Sequence, residues 1–252
     1  MSSLLIDAGN SRLKWALLEA GVRPPQQALA YAGLAPVVAA LQHLRSLLQA
    51  HPQVRRVVLV HVLGEDFTQD VQALCEAGDC ELVLARSVTS LHGLQIAYPN
   101  PAHLGADRFV GLLAARQLAP GQAAILMDAG TAVTVDAVQA DGTHLGGLIL
   151  PGLQLLGDAL VRRTQASHMS AALLDDPQIF TNNTLQGMGS GCLFALVGAL
   201  EGICERMQER LPEAQVILCG GDAELLHAHV RFPHRLVADA LMDGLHYLAE
   251  HA

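Results

Sequence analysis

The apolar and polar positions of this chain change period several times, and each change marks an element. Apolar-rich stretches at residues 3–7 and 11–18, broken by a turn at Gly9 and Asn10, predict two strands of a meander, with a third over 27–33. A helical period occupies 36–50. Beyond it, "VRRVVLVHV" at 54–62 predicts a buried strand, 64–77 a helix, and "CELVLA" at 80–85 another strand. The two prolines of "PNPAHLGADRF" impose an extended approach to a helix over 103–118.

The opening pattern then returns. "ILMDAGTAVTVDAV" at 125–138 repeats "LLIDAGNSRLKWAL" at 4–17: an apolar run, Asp-Ala-Gly, a small amide or hydroxyl residue, then a second strand. "THLGGLILPG" completes a second meander. It is followed by a helix after Pro151, a long helix over 184–210, a strand over 214–221, a helix from Asp222 and a C-terminal helix over 237–251. Strands first and alternating elements afterwards, twice over, predict an α/β protein of two duplicated halves, 1–118 and 119–252, each a mixed sheet flanked by helices, with a cleft between them.

Composition narrows the function. With 252 residues, 51% of them hydrophobic, the chain has ample material for a core. Its net charge of -9 repels nucleic-acid backbones and anionic lipid, so neither a nucleic-acid partner nor a membrane surface is expected. No run reaches the roughly 18 consecutive apolar residues of a membrane span, since Glu201 interrupts "GCLFALVGALEGIC". The start "MSSLLIDAG" lacks the basic region of a leader, and a cytoplasmic location is expected.

The five cysteines include no C-x-x-C pair and read as reduced, buried thiols; His227 and His229 read as solvated helix residues, not metal ligands. Lys14 is the only lysine, which excludes a G-x-x-x-x-G-K-[ST] phosphate loop. Any phosphate must be held by glycine amides, hydroxyls, arginines and metal.

The paired loops supply those groups. An aspartate at the end of a buried strand is costly without a partner. Asp7 and Asp128 each stand at such an end, beside turns at Gly9, Asn10 and Ser11 and at Gly130 and Thr131. Glycine turns aim N–H groups at phosphate oxygens, and a carboxylate binds the bridging hard cation. "LCGGDAELL" places Gly220 and Gly221 between a strand and a helix, where they either admit a flat nucleobase or ribose or merely pack strand on helix. "GMGSG" at 187–191 lacks dinucleotide-loop spacing and reads as close helix packing. Asp107 and Arg108 fall in the first turn of a helix. Either Asp107 stabilises that terminus, or it accepts the proton of an attacking hydroxyl while Arg108 pairs with an acidic group on the substrate.

"DAGNS", "GADR", "DAGTAVT", "GGLILPG" and "GGD", in this order and over nearly the whole chain, resemble the type III pantothenate kinases of the sugar kinase, Hsp70 and actin superfamily. The resemblance implies two ribonuclease H-like, actin-like ATPase domains. It also implies ATP-dependent phosphorylation of pantothenate, in a homodimer using Mg2+ or another divalent cation and a monovalent cation, K+ or NH4+. By position, Asp107 would be the general base. Tyr98, Gly105, Arg108 and Thr184 would serve pantothenate. Asp7, Gly9, Asn10, Ser11 and Lys14 would hold ATP phosphates and the divalent cation, Gly130 and Thr131 a second phosphate contact, Gly220 and Gly221 the nucleotide, and Asp128 the monovalent cation. The chain departs from the family at Ser11, usually threonine, and at "TQASHM" over 164–169. Two rivals stand beside this reading: another small-molecule kinase or phosphatase of the superfamily, and a non-catalytic gene-expression regulator on the same fold.

Overall fold

The computed structural model describes residues 2–31, 35–163 and 176–251. The segment at 164–169 and the end of the third expected strand lie outside them. Two compact units form: Met1–Gly121 with Ala140–Gly146 and Asp239–Ala252, and Gln122–Gln139 with Gly147–Ala238.

The first unit is built on β1 (Ser2–Ala8), β2 (Arg12–Leu18), β3 (Gln27–Ala30), β4 (Val54–His61) and β5 (Glu81–Leu84), in the order β3-β2-β1-β4-β5. Central β1 runs antiparallel to β2 and parallel to β4. Both its faces are covered, so Leu4, Leu5 and Ile6 are all buried and the strand shows no alternation. Helix α1 (Pro36–Ala50) opens on a proline, whose fixed φ and missing N–H suit a first helical position, and buries Ala39, Ala40, Leu44 and Leu47. Helix α2 (Glu65–Ala77) buries Phe67, Thr68, Val71 and Cys75 at helical spacing.

A short hairpin, β6 (Ser90–Leu91) and β7 (Leu94–Gln95), follows; His92 and Gly93, both at positive φ, make its turn. The helix expected from residue 103 begins later. Pro101–His103 form a single 3-10 turn, Leu104 and Gly105 are extended, and α3 runs over Ala106–Leu118.

The second sheet repeats the first. Strands β8 (Ala124–Ala129), β9 (Ala132–Val138), β10 (His144–Pro151), β11 (Gln215–Cys219) and β12 (Arg235–Leu236) lie in the order β10-β9-β8-β11-β12, again with a central strand antiparallel to its successor and parallel to the strand on its other side. Helices α4 (Leu153–Arg163), α5 (Thr184–Gln208) and α6 (Ala223–His227) accompany it. This is the duplicated mixed-sheet architecture expected from the repeat, and it agrees with the ribonuclease H-like domains that the family resemblance implies. By length and composition α5 is apolar enough to cross a membrane. Its Leu193, Leu196, Val197, Leu200 and Cys204 instead pack in the second unit's core.

The C-terminal helix α7 starts at Ala240, three residues later than expected, and belongs to the first unit. Gly244 explains why: a side-chain carbon there would strike the Val110 carbonyl of α3, so only glycine lets the two helices lie this close. The units therefore differ from the continuous halves 1–118 and 119–252, because residues 140–146 and 239–252 return to the first.

Candidate active site

Asp7 ends the central strand of the first unit and is 7% exposed. Lys14 faces it across the β1–β2 register, with Nζ 3.4 Å from Asp7 Oδ2. Burial nevertheless raises the Asp7 pKa; Lys14 pulls it down and Asp107 pushes it up again. Lys14 thus offsets part of the cost of burying this aspartate, and burial stays dominant. The Asp7 carboxylate fits a hard divalent cation, whose remaining ligands in such sites are phosphate oxygens and water. Among the described residues no cluster of three or more His, Cys, Asp or Glu forms a metal cage of its own.

The turn after Asp7 is held by Gly9 N–H donating to the Arg12 carbonyl at 3.1 Å, with Asn10 and Ser11 exposed at its tip. Tyr31 fastens it from below. Its hydroxyl donates to the Gly9 carbonyl at 3.0 Å and its backbone N–H to the Ser11 carbonyl at 3.2 Å. Sequence reasoning missed Tyr31; its only signal was a lone aromatic residue within the third apolar stretch.

Asp107 lies in the first turn of α3, and its Oδ1 accepts the Arg108 N–H at 2.8 Å. Gly105 makes this placement possible, since a side-chain carbon there would stand 2.5 Å from Asp107 Oδ1. Arg108 is 7% exposed, unusual for an arginine. Its Nη1 donates to the Tyr98 hydroxyl at 3.0 Å, and its Cζ lies 5.7 Å from the Tyr98 ring centroid.

In the second unit Asp128 ends β8, and Gly130 and Thr131 make the turn into β9, with Gly130 N–H donating to the Ala132 carbonyl at 3.1 Å. The turns are not identical copies. Ala8 pairs with Leu13 but Ala129 with Val133, so the first turn holds one residue more, and Asp128 faces Thr134 where Asp7 faces a lysine. Two glycines from elsewhere back onto the second turn. Gly152 donates its N–H to the Thr131 carbonyl at 3.1 Å, and a side chain on it would hit the Gly130 carbonyl. Gly220, at φ 101°, lies under the Asp128 carboxylate and the Ala129 carbonyl, where no side chain fits. Gly221 beside it is exposed.

The first unit thus gathers Asp7, Gly9, Asn10, Ser11 and Lys14 at one hairpin and Tyr98, Gly105, Asp107 and Arg108 at the start of α3. The second gathers Asp128, Gly130, Thr131, Gly220 and Gly221. Thr184 is exposed at the head of α5, where Asn183 Oδ1 accepts the N–H groups of Leu185 at 3.0 Å and Gln186 at 3.2 Å. The cysteines are all free thiols, and four of the five are buried.

Residues 3–206 match the family model of type III pantothenate kinase. The type III pantothenate kinase of Herminiimonas arsenicoxydans is 36% identical over 256 residues, covering 98% of this chain and 97% of that protein. Among solved structures, a protein from Campylobacter jejuni described as a Baf family transcriptional activator has a TM-score of 0.60 at 16% identity, covering 98% of each chain. MreB5 of Spiroplasma citri bound to ADP has a TM-score of 0.55 at 8% identity, covering 99% of this chain and 96% of that one. Both structural likenesses show the actin-like fold.

Proposed function

Because the chain belongs to the type III pantothenate kinase family, it phosphorylates pantothenate with ATP and a divalent cation at the start of coenzyme A synthesis, and we propose how its residues divide that reaction. Asp107 takes the proton of the pantothenate hydroxyl as its oxygen attacks the γ-phosphorus of ATP and the bond from that phosphorus to the β-phosphate bridge breaks, releasing ADP. Arg108, steadied by Tyr98, pairs with the pantothenate carboxylate. Gly105 gives Asp107 its place.

Asp7 is the carboxylate that would hold the divalent cation, which supplies charge neutralisation at the phosphates. The amides of Gly9, Asn10 and Ser11, with Lys14, cradle phosphate oxygens; Gly130 and Thr131 make a second phosphate contact, and Gly220 and Gly221 admit the nucleoside. Asp128 would hold a monovalent cation, K+ or NH4+, offsetting the shortage of lysine. A homodimer, pantothenate contact by Thr184 and a cytoplasmic location complete the proposal.

The observation that carries this reading is the pairing of Asp107 and buried Arg108 at one helix start, with Asp107 near enough to raise the Asp7 pKa. The test is phosphate transfer to pantothenate in potassium chloride and sodium chloride side by side, for the wild type and Arg108→Ala. Potassium-dependent transfer, and a raised KM for pantothenate but not ATP in the variant, are expected. Equal rates in both salts overturn the role of Asp128, and an unchanged KM that of Arg108.

A further inference from the structure

Residues 140–146, which follow β9 and include the first three residues of β10, belong to the first unit. Within the first unit they are fixed at both ends of α3. At its C-terminal end, the Gln95 N–H donates to the Gly142 carbonyl at 2.9 Å, and Gln95 forms a bridge with Thr143. Gly142, at φ 94°, sits against the guanidinium of Arg116, from the last turn of α3, and against the Gly93 carbonyl; a side chain at 142 would collide with both.

At the N-terminal end the contact is aromatic. His144 is 1% exposed, and its ring lies parallel to that of Tyr98, with centroids 6.1 Å apart and planes 5° from coincidence. That is offset stacking at the long end of the favourable range. Tyr98 in turn accepts the hydrogen bond from Arg108. The phenol oxygen lies on the axis from Cβ through the ring, so turning the ring plane leaves it in place, whereas swinging the whole ring about Cα–Cβ carries it far; a ring packed flat against Tyr98 opposes that swing. A long arginine side chain loses rotamer freedom when fixed, and fixing it beforehand removes that cost from substrate binding.

We propose that His144 is a positioning residue for the pantothenate carboxylate: its ring packs flat against Tyr98 and blocks the sideways swing that would carry the hydroxyl away, and Tyr98 holds Arg108 in the direction the carboxylate requires. The proposal rests on the substrate role given to Arg108. It places part of the acceptor's specificity on the 140–146 segment, which touches neither phosphate loop through the contacts described.

The test measures kcat and the KM values for pantothenate and ATP in the full-length protein. His144→Leu, which keeps bulk and removes the ring, should raise the pantothenate KM about five-fold, with kcat and the ATP KM within about two-fold. His144→Phe, which restores a flat ring, should return it to within about two-fold of wild type. Tyr98→Phe keeps the stack but lacks the hydroxyl and should resemble His144→Leu. In a Tyr98→Ala background, His144→Leu should add nothing.

If Arg108→Ala raises the pantothenate KM while His144→Leu does not, the role of His144 is overturned and that of Arg108 stands. Failure of His144→Phe to rescue, or additive effects with Tyr98→Ala, also overturns it. An Arg108→Ala protein with unchanged KM removes the premise, and with it the role of His144. Should His144→Leu fail to fold, Tyr98→Phe and His144→Phe decide: wild-type KM in the first or a raised KM in the second contradicts the proposal.

Discussion

Gly105→Ala is a single-carbon change that separates catalysis from folding. Gly105 has φ -55° and ψ 138°, a conformation alanine adopts without strain. The added carbon would stand 2.5 Å from Asp107 Oδ1, and ordinary contact begins at 3.4 Å, so that oxygen must retreat by about 0.9 Å. Carboxylate rotation accommodates this at the expense of the hydrogen bond from Arg108 N–H, whose net worth is about 1 kcal/mol. A general base must lie within about 2.6–3.2 Å of the proton's carrier, and a misplacement near 1 Å costs about 100-fold in rate. The variant should therefore lose about 100-fold in kcat, equivalent to about 2.7 kcal/mol of barrier, while its Tm falls by only a few degrees and its ATP affinity stays near wild type. Steady-state kinetics with a thermal melt checks this. A kcat within three-fold of wild type would refute the placement of Asp107 over Gly105 as the catalytic arrangement.

The turns and the metal site give further expectations. Tyr31→Phe keeps the ring but removes the donor to the Gly9 carbonyl, and should raise the KM for ATP about five-fold with little change in saturated kcat; an unchanged KM means the staple does not shape the turn. Burial raises the Asp7 pKa, so its protonated form favours folding: that contribution is fully present below the ordinary carboxylate range and is lost as pH rises through the raised value. Cation binding requires the ionised form, so magnesium should bind more tightly as pH rises through that window, and Asp7→Asn should abolish the dependence; a magnesium requirement independent of pH contradicts the assignment. Gly220→Ala forces a side chain into a φ of 101° and against Asp128, and should lower Tm by several degrees and weaken ATP binding measured by calorimetry at least ten-fold. Wild-type affinity would show that the close approach of Gly220 to Asp128 is dispensable.

The central strands were legible in the sequence because burial on both faces leaves continuous apolar runs, as in Leu4–Leu5–Ile6, and each run ends on an aspartate that has no place in a core. Duplication was legible because the runs recur with their glycine turns. The difference of one residue between those turns was not, since the two fourteen-residue stretches align without a gap. Their register is imposed from outside, by Tyr31 on the first and Gly152 on the second, and both lie far along the chain. The start of α3 shifted because the extended Leu104 and Gly105 interrupt a pattern that periodicity alone carries through. The β6–β7 hairpin and β12 have strands of two residues, too short for alternation to register. The return of α7 to the first unit depends on one packing contact at Gly244, and the His144–Tyr98 stack joins residues 46 positions apart. Neither leaves a local trace.

Asp107→Asn is the most direct measurement of the account. Asparagine preserves an oxygen to accept the Arg108 N–H, so the start of α3 should keep its geometry while the proton acceptor is lost. Transfer of phosphate from ATP to pantothenate should fall by about 10²- to 10⁴-fold in kcat, with the Kd for ATP in magnesium within about two-fold of wild type. A variant that retains more than a tenth of wild-type kcat would contradict Asp107 as the base.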